Sequence, residues 1–78
     1  MGAALADQVV RCVHAIRADR EMLKPPGVAE TLDWARALHE LGTRELDTET
    51  AAATLGVAVK YREDAERVRK ALDAILTR

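Results

Sequence analysis

The sequence contains no Asn, no Ser and no Phe, and its two prolines stand together in one dipeptide. Hairpins and loop-rich β structure draw on those turn formers and β-preferring aromatics, so their absence argues for an all-helical chain. Cys12 is the one cysteine, which excludes an internal disulfide and a thiolate zinc cluster. No long uninterrupted apolar run is present, and Met1-Gly2-Ala3-Ala4-Leu5-Ala6-Asp7 lacks the basic start of a signal peptide. A membrane-spanning segment is therefore not expected, and the chain reads as cytoplasmic. The formal charge of −1 supplies no general attraction for nucleic acid or an anionic membrane, so neither is expected as a partner. Phosphate-binding Gly-x-x-x-x-Gly-Lys-Thr, dinucleotide-binding Gly-x-Gly-x-x-Gly and zinc-binding His-Glu-x-x-His are all missing, and no metal site or catalytic residue is assigned.

What is present is a chain of 78 residues that is 49% apolar. That length allows a single domain, which buries only roughly 60% of its unfolded surface. Fifteen of the apolar residues are Ala, so the core is small and stability modest. The charges are uneven. Residues 25–59 carry two positive and six negative groups, whereas 60–78 carry six positive and four negative. In that basic tail Glu63, Asp64, Glu66 and Asp73 are interspersed among the cations, the pattern of a solvated helix face with i,i+4 pairing.

Periodicity places four helices, at about 3–21, 28–41, 48–60 and 63–77, in a compact antiparallel bundle. Leu5, Val9, Cys12, Val13 and Ile16 form the stripe of the first, which makes Cys12 a small buried apolar residue rather than a nucleophile. Lys24-Pro25-Pro26-Gly27 breaks the chain, Gly27 caps the second helix and Glu30 reaches back to its free amides. The apolar arc of this helix covers about half its circumference, which marks it as the central element, with Trp34 in the core and His39 half-buried at the edge. Gly42 closes it. Leu46 is available as a plug, and Asp47 or Thr48 caps the third helix. The third and fourth helices part near Lys60-Tyr61-Arg62 without a Gly or Pro, and Tyr61 covers the end of the bundle.

Two patterns bear on function. Thr50-Ala51-Ala52-Ala53-Thr54-Leu55-Gly56-Val57 resembles the first helix and turn of a helix-turn-helix. The match fails beyond it, since Arg62 stands where an apolar residue should return to the core, and Glu63 and Asp64 would repel phosphate. The second pattern is longer. Leu23-Lys24-Pro25-Pro26-Gly27-Val28-Ala29-Glu30-Thr31-Leu32-Asp33-Trp34, followed by Gly42, Leu46-Asp47, Thr54-Leu55-Gly56 and Lys60-Tyr61-Arg62-Glu63-Asp64, resembles the C-terminal helical lid of MoxR-like AAA+ ATPases. Within them it is most similar to the branch associated with carbon monoxide dehydrogenase maturation.

That resemblance implies an AAA+ lid-type bundle, a fragment of a larger ATPase with no catalysis of its own. ATP and Mg²⁺ are then held by an upstream AAA+ core domain, and the lid contacts that core and neighbouring ring subunits, with a von Willebrand A domain protein as a further partner. Lys24, Pro26, Gly27 and Val28 are the candidate nucleotide-facing residues, because a helix start presents free amides and a positive dipole end to a polyanion. Many relatives place an arginine, sensor 2, near this point, and here Ala29 occupies the corresponding position, leaving Lys24 to reach from the loop. A lid also leaves some apolar residues uncovered, and Leu23, Val28 and Leu46 are the candidates. Met1 directly before a helix suggests a segment cut from a longer protein. The alternatives are an autonomous helical protein-interaction module and, after it, a helix-turn-helix DNA-binding domain.

Overall fold

The computed structural model describes residues 2–77. Met1 and Arg78 lie outside the described residues, and with them the reading of the chain's start. Four α-helices follow one another: α1 (Ala3–Ala18), α2 (Val28–Glu40), α3 (Thr48–Thr54) and α4 (Arg62–Leu76), with a single 3₁₀ turn at Leu55–Val57 after α3. They pack as a small bundle of 31 × 24 × 18 Å. α1 lies against α2 and α4, and α3 lies against α2 and α4. No strand occurs among the described residues.

The stripe Leu5, Val9, Cys12, Val13 and Ile16 is buried, which makes α1 one wall of the core. The helix ends at Ala18 rather than near residue 21. Asp19 adopts an extended backbone, and its carboxylate accepts the Glu21 amide at 3.0 Å. That local bond competes with the helix and turns the chain. Met22 thereby folds back into the core.

α2 begins and ends where the sequence signals place it. Glu30 Oε1 accepts the Gly27 amide at 2.8 Å, the half of a capping box that a glycine cap allows. At the other end Gly42 has φ +74°, and the Gly42 and Thr43 amides bond to the His39 and Leu38 carbonyls, each at 3.0 Å. This is a Schellman closure, and the left-handed residue within it favours glycine. Trp34 and Leu38 are fully buried. Trp34 also satisfies its polar edge, with Nε1 donating to Thr54 Oγ1 at 2.8 Å. The rest of the wide arc is not covered: Leu32 is 61% and Leu41 67% exposed. His39, expected half-buried at its edge, is exposed as well.

Leu46 was expected among the uncovered residues and is instead buried. Gln8 Oε1 accepts its amide at 2.8 Å, so the linker between α2 and α3 is pinned onto α1 and the leucine turns inward. Asp47 caps α3 by accepting the Thr50 amide at 2.7 Å. α3 is shorter than the expected 48–60. After Thr54 the chain tightens into the 3₁₀ turn, with the Ala58 and Val59 amides both bonded to the Leu55 carbonyl. Leu55, Ala58 and Val59 all reach the core this way. Tyr61, extended at φ −89° and ψ 136°, separates the turn from α4 and is 48% exposed, so it covers the bundle end only in part.

Candidate functional site

The four residues singled out at the Pro-Pro-Gly turn lie together at the start of α2, but with different exposures. Pro26 is buried and Gly27 half-buried, while Lys24 and Val28 are exposed. The turn is held from two sides. On one, Arg17 of α1 donates from Nη1 to the Pro26 carbonyl at 2.8 Å. On the other, the Asp64 carboxylate accepts the Leu23 amide at Oδ1 and the Lys24 amide at Oδ2, both at 2.8 Å. These bonds fix the backbone, and the Lys24 ammonium group is left without an ion pair among the described residues.

Asp64 was expected on a solvated face and is instead 1% exposed, the one buried charged side chain among the described residues. A buried carboxylate is tolerated when each oxygen has a donor, as here. The sequence carried a usable signal for this position. Asp64, Val68 and Leu72 are spaced at i, i+4 and i+8, so the acid lies on the buried stripe of α4 rather than on its outer face. Nor does α4 show the expected i,i+4 ion pairs. Arg67 reaches across to α1 and the following turn instead, with Nη2 3.2 Å from Asp19 Oδ1 and 3.9 Å from Glu21. The Arg67 guanidinium and the Glu21 amide together hold the Asp19 carboxyl below its ordinary range.

At the start of α2 the Gly27 amide is taken by Glu30. The next three amides, of Val28, Ala29 and Glu30, have no hydrogen-bond partner among the described residues, as is normal for the first turn of a helix. Val28, which carries the first of these donors, is 79% exposed, and Leu23 before the turn is 62% exposed. A groove of about 370 Å³ continues from Val28 between α1 and α2.

Among the described residues no other arrangement of reactive groups stands out. Cys12 is buried, and burial pushes its thiol up to about 11, far from the thiolate a nucleophile requires. Among the described residues no cluster of His, Cys, Asp and Glu could hold a metal ion, and no helix is long and apolar enough to cross a membrane. No protein-family model, curated protein or solved structure matches the chain.

Proposed function

We propose that this chain is the helical lid of a MoxR-like AAA+ ATPase, packing against a nucleotide-binding core domain and closing over ATP at the start of α2. One observation carries the reading: at the Pro-Pro-Gly turn, exposed Val28 bears one of three successive unpaired backbone amides, and exposed Leu23 stands just before the turn. A helix start that faced only water would gain nothing from those two apolar side chains, whereas a joint between domains uses both the apolar contact and the donors. In this reading the core domain supplies the phosphate-binding loop and the acids that hold Mg²⁺. The lid supplies amide donors, and the unpaired Lys24 ammonium group is the cation that the turn's own residues carry, since Ala29 offers no charge at the sensor-2 position. Asp64 and Arg17 keep the turn in one conformation while the lid rotates as a body. The contacts with neighbouring ring subunits and with a von Willebrand A domain protein belong to the same proposal.

The exposure of Leu41, at the far end of α2 from the turn, favours a second reading, an interaction module that takes no part in nucleotide enclosure. One assay separates the two. The chain is added to a MoxR-type AAA+ core whose own helical lid has been removed, and ATP turnover is followed. The lid reading expects turnover to rise with added chain and the chain alone to hydrolyse nothing. No rise, or hydrolysis by the isolated chain, overturns it.

A further inference from the structure

The groove between α1 and α2 differs from the other surface depressions in its charge. The larger hollow between α1 and α4 includes Asp7 and Arg11, which form an ion pair at 2.9 Å, and the one beside Arg67 carries several acids and two cations. The α1–α2 groove has no carboxylate in its lining. Its walls are Val10, Val28 and Leu32, exposed at 46%, 79% and 61%, and its polar edge is formed by His14, Arg17 and Thr31. Arg17 uses one nitrogen on the Pro26 carbonyl. Its other donors have no partner among the described residues.

An apolar trough with the Arg17 guanidinium at its edge and no acid in its lining to balance it suits one kind of occupant. A purely apolar segment would cover Val10, Val28 and Leu32 but leave the remaining guanidinium donors of Arg17 without a counter-charge. A basic segment would bring like charge against Arg17. We propose that the groove docks an acidic, leucine-bearing segment of a partner protein, the leucines lying on Val10, Val28 and Leu32 and a carboxylate meeting Arg17 and His14. Charge complementarity of this kind selects the partner as much as it tightens the complex. The groove shares Val28 and Arg17 with the turn, but the inference rests on the flank at Val10 and Leu32 with the free donors of Arg17, and it does not require the turn to face a nucleotide.

The test uses the whole chain and two short blocked peptides, one with leucines flanked by glutamates and a matched one with lysines in place of the glutamates. Backbone amide shifts are followed by NMR during titration. The proposal expects the acidic peptide to bind at least ~10-fold more tightly than the basic one, a difference of about 1.4 kcal/mol, with shifts centred on Val10, His14, Val28 and Leu32. Leu32→Asp, at an exposed position, should abolish binding with an otherwise unchanged spectrum. Arg17→Gln, which keeps a polar side chain but removes the positive charge, should erase the preference for acid. Equal affinity for the two peptides, shifts centred elsewhere, binding that survives Leu32→Asp, a preference that survives Arg17→Gln, or no binding of either peptide up to about 1 mM would each overturn it. Because no nucleotide is present, failure here leaves the turnover assay of the lid reading to be judged by itself.

Discussion

α1 and α2 lie side by side, and both are amphipathic, yet they use their apolar residues differently. Every large apolar residue of α1 except Val10 is buried. α2 buries Trp34 and Leu38 and leaves Val28 and Leu32 in water, as it does its cap Leu41. The difference teaches that the width of an apolar arc does not by itself report burial within the domain. A helix at the centre of a bundle and a helix shared with a partner look alike on a helical wheel. Only the positions of the neighbouring helices separate them.

The largest expected effect lies on the buried flank of α2. Trp34→Ala should cost about 3–5 kcal/mol, because it empties the centre of the core and strips Thr54 Oγ1 of its donor. In a domain with so small a core, that is enough to unfold much of the population, which urea denaturation monitored by circular dichroism will show. If Trp34→Ala left the unfolding midpoint unchanged, the division of α2 into a structural and an external flank would be wrong.

Next comes Asp64→Asn. The amide side chain keeps one acceptor but turns an NH₂ group towards a backbone N–H, so one of the Leu23 and Lys24 amides loses its partner. The expected loss is roughly 1–3 kcal/mol. Amide exchange should accelerate at Leu23 and Lys24 more than in the centre of α1, which would show that the bond positions the turn as well as stabilising the fold.

The pH dependence at the alkaline end tests the interior of α1. Burial raises Cys12 from 9.0 to about 11. A thiol whose folded pKa is raised favours the folded state fully below its unfolded value, and that contribution is lost as pH climbs from 9.0 towards about 11, where the unfolded chain ionises first. Cys12→Ala should flatten this part of the stability profile. The same burial should leave the thiol inert to alkylation at neutral pH until the chain is denatured.

The smallest effect belongs to the exposed flank. Leu32→Ala should change stability by no more than about 0.5 kcal/mol, despite removing a leucine from an apolar arc. A loss comparable to that of Trp34→Ala would mean that Leu32 serves the fold and is not free for a partner.

These two flanks also show how far the sequence could be read. Short-range signals were dependable: Gly27 with Glu30, Asp47 with Thr50 and the left-handed Gly42 each act within one helical turn. Trp34 was legible as core because a residue of that size in the middle of an apolar arc has few other places to go. The ends of α1 and α3 were not. Both are set by bonds that compete with helix continuation, the Asp19 carboxylate on the Glu21 amide and the closure of Val59 on Leu55. Asp64 was hidden for another reason. Its partners stand 41 and 40 residues away, so its i,i+4 spacing to Val68 could place it on the inner face but could not supply the amides that make burial tolerable. Within the candidate site, the turn and its exposed Leu23 and Val28 were legible, whereas the contribution of Arg17 was not, because it depends on α1 ending beside the turn.

Val28→Asp tests the division of labour in α2 most directly, read out as urea midpoint and as ATP turnover of the lidless AAA+ core to which the chain is added. Val28 is 79% exposed, so the account predicts an unchanged midpoint for the variant, a rise in turnover with the wild-type chain and no rise with Val28→Asp. A midpoint that falls as it does in Trp34→Ala, or turnover restored as well as by the wild-type chain, would contradict it.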